Sequence, residues 1–182
     1  TNSVTLNISQ FVIDTTSPWS QQSYIKAANN DVSDGFGYSV SISADTLVVG
    51  ANLEDSDQTT ITNSTTASDN NTESAAGAVY VYDRTGTSWA QEAYIKASNA
   101  DNDSQFGTSV SIDVDTIAVG AIGEDSLQTT ITNGMTSSDN TSNSDSGAVY
   151  VYKRYGGFWI QEAYIKASNN NDNDSFGYSV SL

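Results

Sequence analysis

The sequence contains no cysteine and no histidine. Without cysteine the chain forms neither disulfides nor thiolate metal sites, and without histidine it lacks the side chain that most often transfers protons near neutral pH. Positive charge is also scarce, because six lysines and arginines stand against 22 aspartates and glutamates, for a formal net charge of -16. Nucleic acid and anionic membrane surfaces carry charge of the same sign, so neither is expected as a partner. Cations and partners with basic patches are favoured instead.

Apolar residues are few and no long apolar run occurs. They make up 37% of the chain, whereas about 45–50% is typical of globular domains. No stretch of about 18 apolar residues is present, so the sequence predicts no transmembrane helix and no membrane insertion. Carboxylates remain as candidate acid–base groups, but no pattern places them in an apolar pocket. An enzyme is therefore not expected.

A tandem repeat of 70 residues organises the chain. Residues 106–121 nearly repeat residues 36–51, and the same string begins again at Phe176. The same interval separates the three tryptophans, Trp19, Trp89 and Trp159. Units that repeat at a fixed period cannot bury their apolar faces alone and must stack on neighbouring copies.

Each unit is predicted to contain four strands. In the second unit, residues 108–112 alternate small polar and apolar side chains, and residues 116–121 are almost continuously apolar, as expected of a strand buried on both faces. After a long polar insert, residues 147–152 form a third strand with alternating tyrosines, and the fourth strand begins at Trp159. No stretch has the period of an amphipathic helix. The sequence therefore predicts an all-β fold of four-stranded antiparallel units in tandem.

Short antiparallel strands that repeat with aromatic and glycine residues are typical of β-propeller blades. Phe-Gly at 36–37 and 106–107, followed by Gly-Ala at 50–51 and 120–121, resembles the FG-GAP repeat of the integrin α-subunit propeller and of many bacterial surface proteins. The resemblance covers about residues 19–182. It is closer to the bacterial members, whose blades carry a similar Gly-Ala-Val-Tyr-Val-Tyr third strand and Trp-x-Gln-x-x-Tyr-Ile-Lys-Ala fourth strand. It implies β-propeller-type blades.

The chain departs from the FG-GAP pattern in two places. Asn52 and Ile122 stand where the Gly-Ala-Pro segment of the family has its proline. The loops at residues 43–45 and 113–115 are too short for the aspartate-rich calcium loop that integrin members carry between the first and second strands. Calcium sites of the integrin type are therefore not expected.

The expected organisation leaves the propeller incomplete. Residues 1–37 are predicted to hold N-terminal strands and the fourth strand of an incomplete blade, 38–107 and 108–177 two FG-GAP-like blades, and 178–182 the first strand of a following or shared blade. Propellers close with about four to eight blades, so one such chain forms an incomplete ring. A blade shared between two molecules would join them head to tail into a ring or a filament. The alternative is that these residues belong to a longer propeller or tandem array.

Acidic residues concentrate in two classes of loop, which an up-and-down blade places at one edge. One class joins a fourth strand to the next first strand, and the other follows the Gly-Ala strand. Calcium takes carboxylate and carbonyl oxygens from loops of this kind. The candidate calcium ligands are Asp31, Asp34, Glu54, Asp55, Asp101, Asp103, Glu124, Asp125, Asp172 and Asp174. The alternative is that each of them forms a turn, caps a backbone group or faces solvent.

The polar insert between the second and third strands, and the three tryptophans, can each be interpreted in two ways. The hexapeptide at residues 58–63 recurs at 128–133, which predicts an extra edge strand with Ile61 and Ile131 pointing inward. The polar remainder of the insert is either a recognition surface for a partner or glycan, or a solvated loop kept by duplication. The tryptophans are predicted to pack between blades, because aromatic side chains dominate core burial; the alternative is a set of sugar-stacking platforms.

The sequence favours an extracellular or cell-surface structural and adhesive protein of bacterial type that associates with itself head to tail. An acidic chain without cysteine suits a salty exterior, where a short Debye length damps the self-repulsion of the charge. The alternative is a lectin-like propeller module that binds a glycan or a surface protein, with or without calcium.

Overall fold

The computed structural model of the protein describes residues 20–139 and 141–182. Its strands are β1 Ser39–Ser43, β2 Thr46–Ala51, β3 Ile61–Thr62, β4 Ala78–Thr85, β5 Ser88–Ile95, β6 Phe106–Asp113, β7 Thr116–Ala121, β8 Ile131–Asn133, β9 Ala148–Tyr155 and β10 Phe158–Ile165. Within these ranges no helix is long and apolar enough to cross a bilayer. The strands predicted in residues 1–18, and Trp19, lie outside the described residues.

The strands form two antiparallel sheets with the same topology. The first sheet has the order β1-β2-β4-β5-β3 and the second the order β6-β7-β9-β10-β8. Four strands of each sheet are those predicted from the repeat, so the all-β, blade-like fold is confirmed, and the two sheets do not close a ring. The fifth strand is the predicted edge strand of the hexapeptide, because Ile61 pairs with Ile95 and Ile131 pairs with Ile165.

One apolar core joins the two sheets. Val79, Val81 and Ile95 of the first sheet pack in the same cluster as Phe106 and Trp159 of the second. All five side chains are fully buried. The apolar face of the first sheet is therefore covered by the second sheet, as stacking of repeat units requires.

The Phe-Gly and Gly-Ala motifs meet where consecutive units touch. A Cβ atom at Gly50 on β2 would lie 2.2 Å from the carbonyl oxygen of Gly107 on β6. The same crossing recurs one unit later, where a Cβ atom at Gly120 would lie 1.9 Å from the carbonyl oxygen of Gly177. Both distances are far below van der Waals contact, so only a residue without a side chain fits at the crossing.

The two predicted end strands do not pair into a sheet. Among the described residues, 20–27 and 178–182 belong to no strand. Their contacts nevertheless match those of the equivalent residues in the complete sheets. The Tyr82 hydroxyl donates to the Lys26 carbonyl (3.0 Å), as that of Tyr152 does to the Lys96 carbonyl (3.4 Å).

The C-terminal segment follows the same rule. The Leu182 amide donates to the Ser111 hydroxyl (3.0 Å), as the Ile112 amide does to the Ser41 hydroxyl (3.1 Å). Residues 178–182 therefore lie against β6 much as β6 lies against β1. Each end of the described chain adds one segment of a neighbouring unit to the two complete sheets.

The predicted inward orientation of the edge-strand isoleucines is confirmed for Ile61 and wrong for Ile131. Ile61 is half-buried and packs against the inter-sheet core, whereas Ile131 is 59% exposed. The difference arises because the second sheet lies over the groove beside Ile61. No described residue covers Ile131 in the same way.

Candidate functional site

The two classes of acidic loop meet at one edge, as the sequence predicts. Asn29, in the loop before β1, donates its amide to the Glu54 carboxylate in the loop after β2 (2.9 Å). One unit later Asn99 donates to Glu124 (3.0 Å). The loops are thus tied together by hydrogen bonds between consecutive units.

The glutamate in each of these hydrogen bonds also belongs to a buried ion pair. The Lys96 ammonium contacts the Glu54 carboxylate at 2.7 Å, and the exposed fractions of the two side chains are 0% and 1%. The same carboxylate accepts the Tyr94 hydroxyl (2.8 Å). The second unit repeats the arrangement with Lys166 and Glu124 at 2.5 Å. Such pairs are stable in a protein interior only with good geometry and further hydrogen bonds, and both units supply these.

Burial changes the protonation behaviour of this network. Loss of hydration lowers the pKa of the Lys96 and Lys166 ammonium groups, and the adjacent glutamates partly offset that effect. Burial, together with the charge of Glu54, also raises the pKa of Tyr94 well above its usual range. Each lysine is held in place by its ion pair. Through that pair, Glu54 and Glu124 join the loop that follows the Gly-Ala strand to the end of the fourth strand.

The sequence reasoning missed the lysines and asparagines of these networks. A signal was present, because Glu54 and Lys96 recur together at Glu124 and Lys166. Tyr94 and Lys96 also lie two residues apart in an extended stretch of the sequence, a spacing that places both side chains on the same face. A lysine on the buried face of a strand requires a partner.

The other predicted ligands lie in separate surroundings. Asp34 is buried and accepts the Asp31 amide (3.1 Å), and burial raises its pKa. Asp55 accepts the Ala75 amide and Asp125 accepts the Asp145 amide, each at 2.7 Å. The remaining predicted ligands are exposed: Asp31, Asp101, Asp103, Asp172 and Asp174.

No three acidic side chains among residues 20–139 and 141–182 converge as the ligands of a metal ion would. Calcium binding at this edge stays a prediction. Calorimetric titration with calcium tests it, because binding would release or absorb heat and raise the melting temperature, whereas no heat and no shift would exclude it.

Asp125 supplies a prediction on pH dependence. Burial and the charges of Asp145, Glu124 and Asp101 raise its pKa above the ordinary value of 3.8. The folded state therefore holds this proton to a higher pH than the unfolded state, so the contribution of Asp125 to stability falls as pH rises from 3.8 through the folded pKa.

We expect Asp125→Asn, which keeps an acceptor oxygen for the Asp145 amide, to stabilise the protein at neutral pH. The gain should be no more than about 1 kcal/mol because the group is partly solvated, or about 2–4 °C in melting temperature. Thermal melts of both proteins from pH 3 to pH 7 measure it. The gain should shrink as pH approaches the ordinary carboxyl pKa, and a gain that is the same at every pH would contradict the assignment.

Trp159 joins the second unit to the first through several contacts. Its side chain is fully buried, its backbone amide donates to the Asn63 side-chain oxygen (2.7 Å), and its indole nitrogen donates to the Glu92 carboxylate (3.0 Å). Arg154 lies over the indole ring at 5.1 Å and also contacts Glu92 at 3.1 Å. Packing between units is therefore confirmed for Trp159, and its buried ring offers no platform to a sugar.

We call Asn63, Glu92 and the groove beside Ile61 the first seat, because they receive Trp159 from the next unit. The repeat equivalents Asn133, Glu162 and the groove beside Ile131 are the second seat. Asn133 and Glu162 are exposed. In the part of the chain that the structure describes, neither side chain has a hydrogen-bond partner.

At the other end of the two sheets, Trp89 occupies a partial seat. It is half-buried, and its indole nitrogen donates to the Gln22 side chain (3.2 Å). Gln22 precedes Glu92 by one repeat, so the same position of the preceding unit accepts the indole in both cases. Each unit therefore offers an acceptor to the tryptophan of the unit that follows it.

Comparison with known families agrees with this architecture. The model of the FG-GAP repeat matches residues 19–82 and 89–152, which is more than half of the chain. A search of curated proteins found no match. The FG-GAP repeat is a non-enzymatic, β-propeller-like module of the adhesion type that is typically extracellular. The match and the Phe-Gly and Gly-Ala crossings together show that this chain belongs to the FG-GAP repeat family.

Proposed function

We propose that this protein is a structural and adhesive module of the bacterial cell surface that associates with itself head to tail. In the assembly, the second sheet of one molecule is followed by a unit shared with the next molecule. The observation that carries the proposal is that an apolar face which is buried in the first sheet lies open in its repeat equivalent.

The open face belongs to β9 and β10. Val79, Val81 and Ile95 are 0% exposed under the second sheet. Their repeat equivalents Val149, Val151 and Ile165 are only half-buried. The sequence keeps apolar residues at these positions although the described chain does not cover them, and burying such a face is favourable at about 25 cal/mol per Å². A further unit of the same kind fits this face.

The opposite end of the two sheets is open in a complementary way. Val110 and Ile112 on β6 are 8% and 6% exposed, because they pack against the first sheet. Their equivalents Val40 and Ile42 on β1 are 63% and 58% exposed. The described residues therefore present two different exposed surfaces, and the repeat already joins surfaces of these two kinds inside the chain. A contact of this heterologous type produces a ring or a filament.

The net charge sets the conditions for association. At -16 per chain, two molecules repel one another, and salt weakens that repulsion by shortening the Debye length. Association that rests on apolar burial should therefore tighten as salt rises. An ionic contact would weaken instead.

Light scattering of the chain across a range of concentrations tests the proposal at low and high salt, with and without a chelator. We expect a mass at least twice the 19.3 kDa of one chain, with a larger fraction assembled at high salt. A chelator should leave the mass unchanged if assembly needs no cation. Negative-stain microscopy then distinguishes rings from filaments. A folded species that stays at 19.3 kDa under every condition would overturn the proposal.

A further inference from the structure

The second seat repeats a site that the chain itself fills elsewhere, and no tryptophan among the described residues occupies it. The first seat holds Trp159 through Asn63 and Glu92. Its groove continues along Thr59, Thr60 and Ile61. These contacts fix both the backbone and the indole of the incoming tryptophan, which is the second residue of β10.

The second seat has the same chemistry. A groove of about 650 Å³ is lined by Thr129, Thr130 and Ile131 from β8 and the loop before it, and by Ile165 from β10. Asn133 and Glu162 stand where the first seat has Asn63 and Glu92. The corresponding groove beside Ile61 is lined in part by Trp159.

The chain also carries a tryptophan in the required register. Trp19 precedes Trp89 by 70 residues, as Trp89 precedes Trp159. The residues after it, Gln22, Tyr24, Ile25 and Lys26, match those after Trp159 except that glutamine stands in place of glutamate. Trp89 donates to Gln22 and Trp159 donates to Glu92, so Trp19 is the tryptophan of the printed sequence that neither of these contacts uses.

We propose that the second seat of one molecule binds the Trp19 segment of a second copy, with the Asn133 side chain on the Trp19 backbone and the Glu162 carboxylate on its indole nitrogen. This rests on the proposed head-to-tail association and names the contact that specifies it. The C-terminal residues 178–182 of the first copy and the Trp19 segment of the second then lie on the same shared unit.

The Trp19 segment differs from the other two tryptophan segments in charge. Asp14 occupies the position that precedes Trp19 by five residues, whereas Arg84 and Arg154 hold that position before Trp89 and Trp159. The Trp19 segment therefore brings no arginine to Glu162, and the indole N–H is the donor available to that carboxylate. A buried aromatic anchor that also donates a hydrogen bond is typical of interface hot spots.

Two complementary variants test the seat. Trp19→Ala damages the incoming segment, and the double variant Asn133→Ala/Glu162→Ala damages the second seat. Each variant alone should raise the dissociation constant of self-association about 30-fold, the effect of losing one hot spot. Val32→Ala is the matched control, because Val32 is 90% exposed on a loop and contacts neither surface of the seat. Circular dichroism checks that each variant remains folded.

Mixing the two variants is the decisive measurement. The Trp19→Ala chain keeps an intact second seat, and the double variant keeps an intact Trp19. One contact between the two variants can therefore form. The resulting dimer has no intact seat or tryptophan left for a second contact. The equimolar mixture should give a species of twice the 19.3 kDa chain mass, while each variant alone stays monomeric at the same concentration. Sedimentation velocity resolves these species.

The outcomes separate this inference from the proposed function. If the unmodified chain assembles and the variants assemble equally well, the seat is wrong and the head-to-tail association stands. If both variants are monomeric and their mixture is monomeric too, the contact is not heterologous and the seat is wrong. If the unmodified chain is itself a monomer, both proposals fall.

Discussion

Replacement of Lys96 by methionine is expected to lower the free energy of unfolding by about 3–5 kcal/mol, the cost of breaking one half of a buried ion pair. The Lys96 ammonium is 2.7 Å from the Glu54 carboxylate, and the two side chains are 0% and 1% exposed. Methionine fills a similar volume but leaves the Glu54 charge without a counterion in an interior that cannot hydrate it. Urea unfolding followed by circular dichroism measures the loss.

The repeat supplies the matched control. Lys26 precedes Lys96 by 70 residues and is exposed, so Lys26→Met should change the unfolding free energy by no more than about 0.5 kcal/mol. Adding Glu54→Gln to Lys96→Met should recover most of the loss, because the amide removes the unpaired charge and keeps an acceptor for the Tyr94 hydroxyl. Equal effects of the Lys26 and Lys96 substitutions would show that burial of the pair does not matter.

The strands could be predicted from the sequence because the repeat tests each assignment twice. The continuous apolar run at 116–121 becomes β7, and the alternating tyrosines at 147–152 fall on β9, which spans Ala148–Tyr155. The short edge strands β3 and β8 were detectable for a different reason. A hexapeptide that recurs while its flanks diverge must be held in place by neighbours, and Ile61 and Ile131 do pair with Ile95 and Ile165.

Burial of single residues was harder to predict, since it depends on the unit next door. Ile61 and Ile131 have the same local sequence and equivalent strand partners, yet only Ile61 packs against the inter-sheet core. Glu54 and Glu124 read as loop carboxylates, because the loop composition around them is that of solvated turns. Their pairing partners lie 42 residues further along the chain, and no local pattern connects positions so far apart.

Replacement of Trp159 by alanine should cost about 3–5 kcal/mol of unfolding free energy, as for other fully buried tryptophans. The indole is buried between the sheets, and its removal also leaves the Glu92 carboxylate with one donor fewer. Because stability in repeat proteins includes the interface between neighbours, this loss falls on the coupling of the sheets. We therefore expect the unfolding transition of the variant to be broader than that of the unmodified protein, or divided into two, which calorimetry measures.

Trp89→Ala is the control that distinguishes coupling between the two sheets from the loss of unfolding free energy caused by removing any indole. Trp89 is half-buried and bonds to Gln22 in a segment outside the two sheets, so its removal should cost less and leave the transition between the sheets intact. If both substitutions lowered the unfolding free energy equally and each variant unfolded in one sharp transition, Trp159 would stabilise the protein only through its buried apolar area. A larger loss with a divided transition at Trp159 means that the seat joins units, which is the property the second seat needs to join molecules.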